Sequence, residues 1–289
     1  MTDQGYDFAG WIGRTLQSED RLSAARSRRW LATFDLQHPA DSAMPQGIHW
    51  CLCTPEAPTR ALGEDGHPRR DTSPASFLPP LTLPRRMWAS SEIEFLAPIT
   101  PGSKIERTTT IKAISQKQGG SGPLVFVTLE HETVASGRLA VREDQTLVFR
   151  GAASPGSTLS PPPLADTAFD ASQWQATRMV MPDPALLFRY SALTFNSHRI
   201  HYDAPYASDI ERYRGLVVHG PLTATLLLDH AAQQLGGNAL ARFSFRGTSP
   251  AIAGEELILA MRGAGENIEL GAFAADGRQV MQAAAALRQ

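Results

Sequence analysis

Proton-carrying side chains gather in one stretch of the chain, Arg189 to Asp203, which reads RYSALTFNSHRIHYD. It holds His198 and His201, with Asn196, Arg199 and Asp203 close by. An imidazole has a reference pKa near ~6.5, so it can take and give a proton at neutral pH. Apolar content falls after Phe195, so the segment is expected to leave the core as a loop. Polar side chains on a loop can surround a pocket mouth. His198 and His201 also form an H-x-x-H pair, to which Asp203 or His219 could add a third metal ligand. No further ligand spacing is recognisable, so no metal site is expected. A second feature follows downstream at His219-Gly220-Pro221. A glycine just before a helix lets a ligand approach the backbone closely. The first-turn N–H groups have no intrahelical partner and sit at the positive end of the helix dipole, which suits a developing oxyanion.

These side chains need elements to hold them. Pro221 to about Leu235 reads as a helix, with proline in its first turn, Gly236-Gly237 as its end and a body that is apolar nearly all round. Such a helix belongs in a core. Gly151 to Asp166, GAASPGSTLSPPPLAD, is small, polar and proline-rich. It cannot continue a helix or a central strand, and it divides the chain into residues 1–150, a linker 151–166 and residues 167–289. The halves repeat a pattern. Each carries a Pro-x-x-x-Gly turn, at Pro98 to Gly102 and Pro250 to Gly254, between two strands. Two more strand-like runs follow in each half: Val125 to Thr133 with Leu139 to Phe149, and Ile268 to Ala274 with Val280 to Leu287. The last is rich in alanine, so propensity alone leaves helix open there. One long helix is expected before the strands in each half, Glu19 to about Phe34 in the first. A helix and an antiparallel meander, occurring twice, imply an α+β protein with an internal duplication. A buried helix wrapped by a sheet is the hotdog arrangement. Thr54 to Pro80 is long for a loop in a compact domain and reads as an insertion or a functional flap.

RYSALTFNSHRIHYD followed by GLVVHGPLTATLLLDHA resembles the signature region of MaoC-like enoyl-CoA hydratases and dehydratases. Within that family it is most similar to the two-repeat branch of itaconyl-CoA and mesaconyl-C4-CoA hydratases and mitochondrial hydroxyacyl-thioester dehydratases. The run Leu83 to Ala89, LPRRMWA, resembles the same branch. The resemblance implies a double hotdog with the hydratase motif in the second repeat. The wider family reads Asp-x-Asn-Pro-x-His, where this chain has Asn196-Ser197-His198-Arg199-Ile200-His201. The histidine is kept as His201, while Asn196 stands at the aspartate. In the wider pattern Asp and His together activate a water. Asparagine cannot accept a proton but can orient a water. The resemblance therefore implies His201 as acid and base, Asn196 as water holder and the Gly220 N–H as donor to the thioester oxygen. His198 or Asp203 could assist. Arg199, Arg85 and Arg86 are the candidates for a substrate carboxylate or CoA phosphate, and Tyr190, His198, Trp88 and His219 for lining the acyl site.

The implied reaction is reversible hydration of a short, branched, carboxylated enoyl-CoA to a product such as citramalyl-CoA. CoA enters as part of the substrate, and no metal or redox cofactor is implied. Three rivals share the fold: a 3-hydroxyacyl-thioester dehydratase of fatty-acid metabolism, an acyl-CoA thioesterase, and an acyl-CoA-binding protein without turnover. Lys plus Arg number 27 and Asp plus Glu 29, a net charge of -2, so binding nucleic acid through the whole surface is not expected. No apolar run reaches the roughly 18–20 residues of a membrane span. Met1 to Gly10 lacks a basic start and an apolar core, and Cys51 and Cys53, two apart on an expected strand, cannot easily pair. A cytoplasmic protein with free thiols is expected, as a monomeric pseudo-dimer or a homodimer. Gly119 to Gly122 reads as a hairpin loop rather than a phosphate loop.

Overall fold

The computed structural model describes residues 8–288 apart from 38, 40, 41 and 121, so Ser121 and most of the N-terminal stretch lie outside the described residues. Ten strands form one antiparallel sheet. In chain order they are β1 (Thr15–Arg21), β2 (Arg85–Phe95), β3 (Lys104–Gly119), β4 (Gly122–Ala135), β5 (Arg138–Arg150), β6 (Ala176–Val180), β7 (Leu240–Gly247), β8 (Leu257–Ala264), β9 (Asn267–Ala274) and β10 (Gln279–Leu287). The helices are α1 (Ala24–Thr33), α2 (Pro184–Thr194) and α3 (Gly220–Leu235). The sheet order is β1-β3-β4-β5-β2-β7-β10-β9-β8-β6. Read outward from the central β2–β7 pair, where Ile93 faces Phe243, the two halves have the same connectivity. Each has an edge strand, a short helix, a central strand and then a three-stranded meander whose last strand pairs with the central one.

The second half is built around α3. Pro221 occupies its first turn and Gly236, at φ 98, ends it. Leu222, Ala224 and Leu227 are fully buried, and the inner face of the sheet meets them with Leu257, Leu259, Leu270 and Ala272. The alanine-rich run is a strand, because β10 is paired on both sides, to β7 and β9. Ladder pairing in the core overrides the helix propensity of alanine. Ala283 and Ala285 are buried.

The first half departs from expectation. No long helix covers Glu19 to Phe34. Thr15–Arg21 is the edge strand β1, with Arg21 opposite Lys104, and Ser23 caps the ten-residue α1 by accepting from the Arg26 N–H. The charged QSEDR run lies on an exposed edge and has no apolar stripe to bury as a helix. Between α1 and β2, where the second repeat has α3, the described residues of the first form no long helix but a buried 3-10 turn, Ile48–Cys51, and a second short one, Thr59–Ala61. Polar groups hold the buried turn. Arg107 donates to the carbonyls of His49 and Leu52 at 2.7 and 2.9 Å, and Glu143 accepts from Trp50 Nε1 and Ser91 Oγ. Against the effect of burial, the neighbouring His49 at 3.4 Å, then His131 and the Ser91 bond, hold Glu143 down at about 2. Without a long helix, this half of the sheet encloses open space. Cys51 and Cys53 sit in or after the turn rather than on a strand. Both are free thiols, and burial pushes Cys51 up to about 12. Gly119 and Gly122 face each other at the β3–β4 hairpin. Among the described residues no helix is long and apolar enough to cross a membrane.

Candidate active site

Asp183 caps α2 by accepting from the Leu186 N–H, and Phe195 ends it in the left-handed region at φ 49. The stretch from Arg189 to Thr194 is therefore helical, and the loop begins after it. Asn196 Oδ1 then accepts from the His198 N–H at 3.0 Å, a local turn typical of asparagine. Residues 199–201 form one 3-10 turn that carries His201 inward, where it is 7% exposed. Its Nδ1 lies 2.7 Å from the Val217 carbonyl. A carbonyl only accepts, so Nδ1 carries the hydrogen and Nε2 is left as a bare acceptor. Burial lowers this imidazole to about 4, with His67 adding repulsion and the Val217 bond opposing. His201 is thus neutral at pH 7 and ready to accept a proton. The His219 ring stacks on it at 3.5 Å and 20°, and Ser191 Oγ lies 2.9 Å from His219 Nε2. His219 caps α3, whose first residue is Gly220.

The long loop between the 3-10 turn and β2 closes over the motif. Ser197 Oγ donates to the Gly66 carbonyl at 2.6 Å, and the Arg199 N–H donates to the Asp65 carbonyl at 2.9 Å. This flap brings in two residues that the motif reading missed, Asp65 and His67. His67 Nδ1 is 3.0 Å from Asp65 Oδ2, and its ring lies 4.1 Å from that of His198. His198 and His201 follow at 5.4 Å. Four imidazoles, His67, His198, His201 and His219, therefore form one continuous row. The signal for the flap pair was the Asp65-Gly66-His67 triplet. Its aspartate accepts from the His67 N–H at 3.0 Å in a local turn.

A cleft of about 2020 Å³ runs past this row into the helix-free space of the first repeat. His201, Asn196, His198, His219, Gly220, Tyr190, Trp88 and Arg86 all border it. No hydrogen bond engages the Gly220 N–H among the described residues, in keeping with its place at the start of the helix. An added Cβ at Gly220 would meet only the Trp88 carbonyl, at an ordinary 3.9 Å. Packing therefore does not demand glycine there, and the open space lies on the cleft side. Arg86 is half-buried; among the described residues its guanidinium forms no hydrogen bond or ion pair, and Arg70 and Asp65 act on it only through space. Tyr190 is 1% exposed, its ring edge-on to His219. Trp88 donates to Ser91 Oγ at 2.9 Å.

Arg199 does not take the place expected of it. It lies outside the cleft lining. Its guanidinium bonds Asp203 at 3.0 and 2.7 Å and the Glu64 carbonyl at 3.0 Å, and stacks over Tyr206. An i,i+4 ion pair within one turn satisfies it locally, so it anchors the flap instead of meeting a ligand. Asp203 is likewise committed to Arg199 and to the Tyr206 N–H, away from His201. Arg85, in the marker run, is ion-paired with Glu211.

Ligand atoms of Asp65, His67 and His198 all lie within 4.8 Å of one another, a metal-like composition. Within this group Nδ1 of His67 already donates to Asp65, and the His67 and His198 rings lie 4.1 Å apart, tilted by 38°. Burial of the imidazole row has a consequence for stability. His67, His198, His201 and His219 are all lowered, chiefly by desolvation, with His198 at about 2. Between the unfolded value near ~6.5 and these lower folded values, the unfolded chain binds more protons. Stability therefore falls as pH drops through that window, by up to about 1.4 kcal/mol per pH unit for each imidazole. We expect the melting temperature to decline steadily from pH 6.5 to 5, and a flat melting curve over that interval would contradict the neutral row.

Comparison with known proteins agrees with this architecture. Residues 47–253 match the family described as hydroxyacyl-thioester dehydratase type 2. A mesaconyl-C(4)-CoA hydratase of Chloroflexus aurantiacus is 41% identical over 285 residues, covering 96% of each chain. Among solved structures, a MaoC-like dehydratase from Phytophthora capsici superposes with a TM-score of 0.70 at 14% identity, covering 96% of each chain. A Mycobacterium tuberculosis protein described as having a double hotdog fold gives 0.54 at 16% identity, covering 95% of each chain. The fold is a double hotdog, and the chain belongs to the hydroxyacyl-thioester dehydratase type 2 family.

Proposed function

We propose that this hydratase/dehydratase adds water reversibly to a short, branched, carboxylated enoyl-CoA. Itaconyl-CoA and mesaconyl-C4-CoA are the candidate substrates, and citramalyl-CoA is the product. The observation that carries the reading is the pairing, on one cleft, of a buried imidazole with a bare Nε2 and an unengaged N–H at the start of a helix. His201 takes a proton from water as its oxygen attacks Cβ. The Gly220 N–H holds the thioester oxygen while the enolate exists, a contact typically worth about 3–4 kcal/mol. The proton then passes to Cα. Asn196 has its oxygen committed to the turn, which leaves its amide N–H groups to orient the water. The reaction moves no electrons to an acceptor and calls for no redox cofactor. Two repeats joined through β2 and β7 allow one chain to hold a complete site.

Arg86 supports the carboxylated acyl group. A half-buried guanidinium without a bonded partner, beside the catalytic row, is costly unless a ligand anion completes it. Hydrogen bonds to charged groups contribute about 1.5–3 kcal/mol. We therefore expect Arg86→Ala to lower kcat/KM for mesaconyl-C4-CoA by about 10–100-fold more than for crotonyl-CoA. The check is loss of enoyl absorbance across mesaconyl-C4-CoA, itaconyl-CoA and crotonyl-CoA, with a thiol-reactive dye present to report any thioester hydrolysis. Equal losses on both substrate types would argue against an arginine–carboxylate contact. Thiol release without loss of the enoyl group would favour a thioesterase, and preference for long acyl chains a fatty-acyl dehydratase.

A further inference from the structure

The motif segment offers His201 no free carboxylate, because Asn196 is an amide and Asp203 is held by Arg199. We propose that the flap supplies one: Asp65, acting through His67, provides the carboxylate-backed imidazole that shares the water with His201. This rests on the hydratase reading above and names a second proton-transfer group for it.

Three observations point the same way. Asp65 holds His67 by two bonds, Oδ1 accepting from the His67 N–H and Oδ2 facing Nδ1, both at 3.0 Å. The ring therefore has a fixed orientation, with hydrogen on Nδ1 and an acceptor at Nε2. Second, the His67 ring borders the same cleft as His201 and acts on it electrostatically, with the His198 ring neighbouring both at 4.1 and 5.4 Å. Third, the flap is fastened to the motif turn itself, through Ser197 Oγ, the Arg199 N–H and the Arg199 guanidinium. The structure thus fixes where the pair stands relative to His201. The charged or titratable groups acting on His67 are Asp65, His198, His201, Arg86 and Arg70. Of these, only Asp65 favours its protonated form.

A water has two hydrogens. With His201 and His67 both presenting bare nitrogens, it can donate one hydrogen to each and aim its lone pair at Cβ. The C–O bond forms, the π pair moves onto the thioester enolate, and the proton goes to a ring nitrogen. Asp65 stabilises the resulting imidazolium on His67. His201 has only a backbone carbonyl behind it. The enolate collapses by taking that proton at Cα, and both rings end neutral. Asp65 touches no reacting atom and is a positioning residue, whereas His67 is the group that carries the proton.

Asp65→Asn tests this closely. The asparagine oxygen can still accept from the His67 N–H and keep the turn. Its amide now donates toward Nδ1, which drives the hydrogen to Nε2 and removes the acceptor from the water. We expect kcat on mesaconyl-C4-CoA or crotonyl-CoA to fall about 100-fold with KM changed less than threefold. The acid limb of the kcat/KM profile should move relative to wild type. His67→Ala should fall similarly and recover in part with added imidazole. A purely structural flap would give neither the altered pH profile nor the rescue. Asp65→Asn turnover within threefold of wild type, loss confined to KM, or activity that a chelator abolishes and a divalent metal restores would each overturn the proposal. A wild-type protein that hydrates no enoyl-CoA would remove the underlying reading as well. An active wild type with an unimpaired Asp65→Asn variant would remove this inference alone.

Discussion

Replacing His201 by asparagine is expected to lower enoyl-CoA hydration by about 10²–10⁴-fold while the protein remains folded. The choice of asparagine matters. Its side-chain amide can occupy the position of Nδ1 and still donate to the Val217 carbonyl, now 2.7 Å from the ring. The bond that ties the 3-10 turn to the strand-like segment before α3 is kept, and what disappears is Nε2, the acceptor. A loss in kcat with the melting temperature within a few degrees of wild type would therefore report chemistry. Such a loss corresponds to roughly 3–5 kcal/mol of transition-state stabilisation, at 1.36 kcal/mol per decade. The wild-type pH profile should agree. His201 must be neutral to act, and burial places it at about 4. Its own protonation therefore cuts activity only well below pH 6. Turnover by the asparagine variant close to that of wild type would sink the assignment of His201, whatever substrate is used.

How much of this site could be read in the chain depended on how local its causes are. α3 is punctuated by its own residues, Pro221 at one end and Gly236 at the other, and its apolar body has one destination. The motif histidine and the Gly220 turn are 19 residues apart by number but are joined by Val217, whose carbonyl fixes His201. The missed parts depend on distance. Ser197 and Gly66 are separated by 131 positions, and nothing in the irregular flap has a periodicity that reports where it folds back. Arg199 misled for the opposite reason. It stands inside the motif, yet Asp203, four residues on, captures it. The first-repeat helix is shorter than expected because Thr15–Arg21 pairs with β3 as an edge strand and leaves only Ala24–Thr33 to α1. One repeat packs a helix against an apolar sheet face, while the other holds a short turn with Arg107 and Glu143 and leaves room beside it. That asymmetry leaves the imidazole row beside open space rather than beside a second long helix.

The same logic makes Gly66→Ala the most disruptive single methyl group in the site. Gly66 has φ +85, a left-handed backbone that alanine adopts only at a cost of about 1–2 kcal/mol. A Cβ built there would lie 1.9 Å from the Ser197 carbonyl oxygen and 2.9 Å from its carbon. Both are backbone atoms of the motif turn, so no rotamer change relieves the clash. Overpacking of this kind costs about 1–3 kcal/mol beyond the backbone strain. The flap need not pull the core apart to escape it. It can detach locally, since its links to the motif are a few bonds at Ser197 and Arg199, and loops open at much lower cost than sheets unfold. We therefore expect faster proteolytic cleavage within residues 54–80, a melting temperature lowered by several degrees, and hydration reduced at least as far as in Asp65→Asn. Detachment would carry Asp65 and His67 away from His201 together and open the row to water, so its depressed imidazoles should shift back toward ordinary values. Should Gly66→Ala cleave, melt and turn over like the wild type, the flap does not rest on the motif turn, and the shared-water arrangement built upon that contact fails with it.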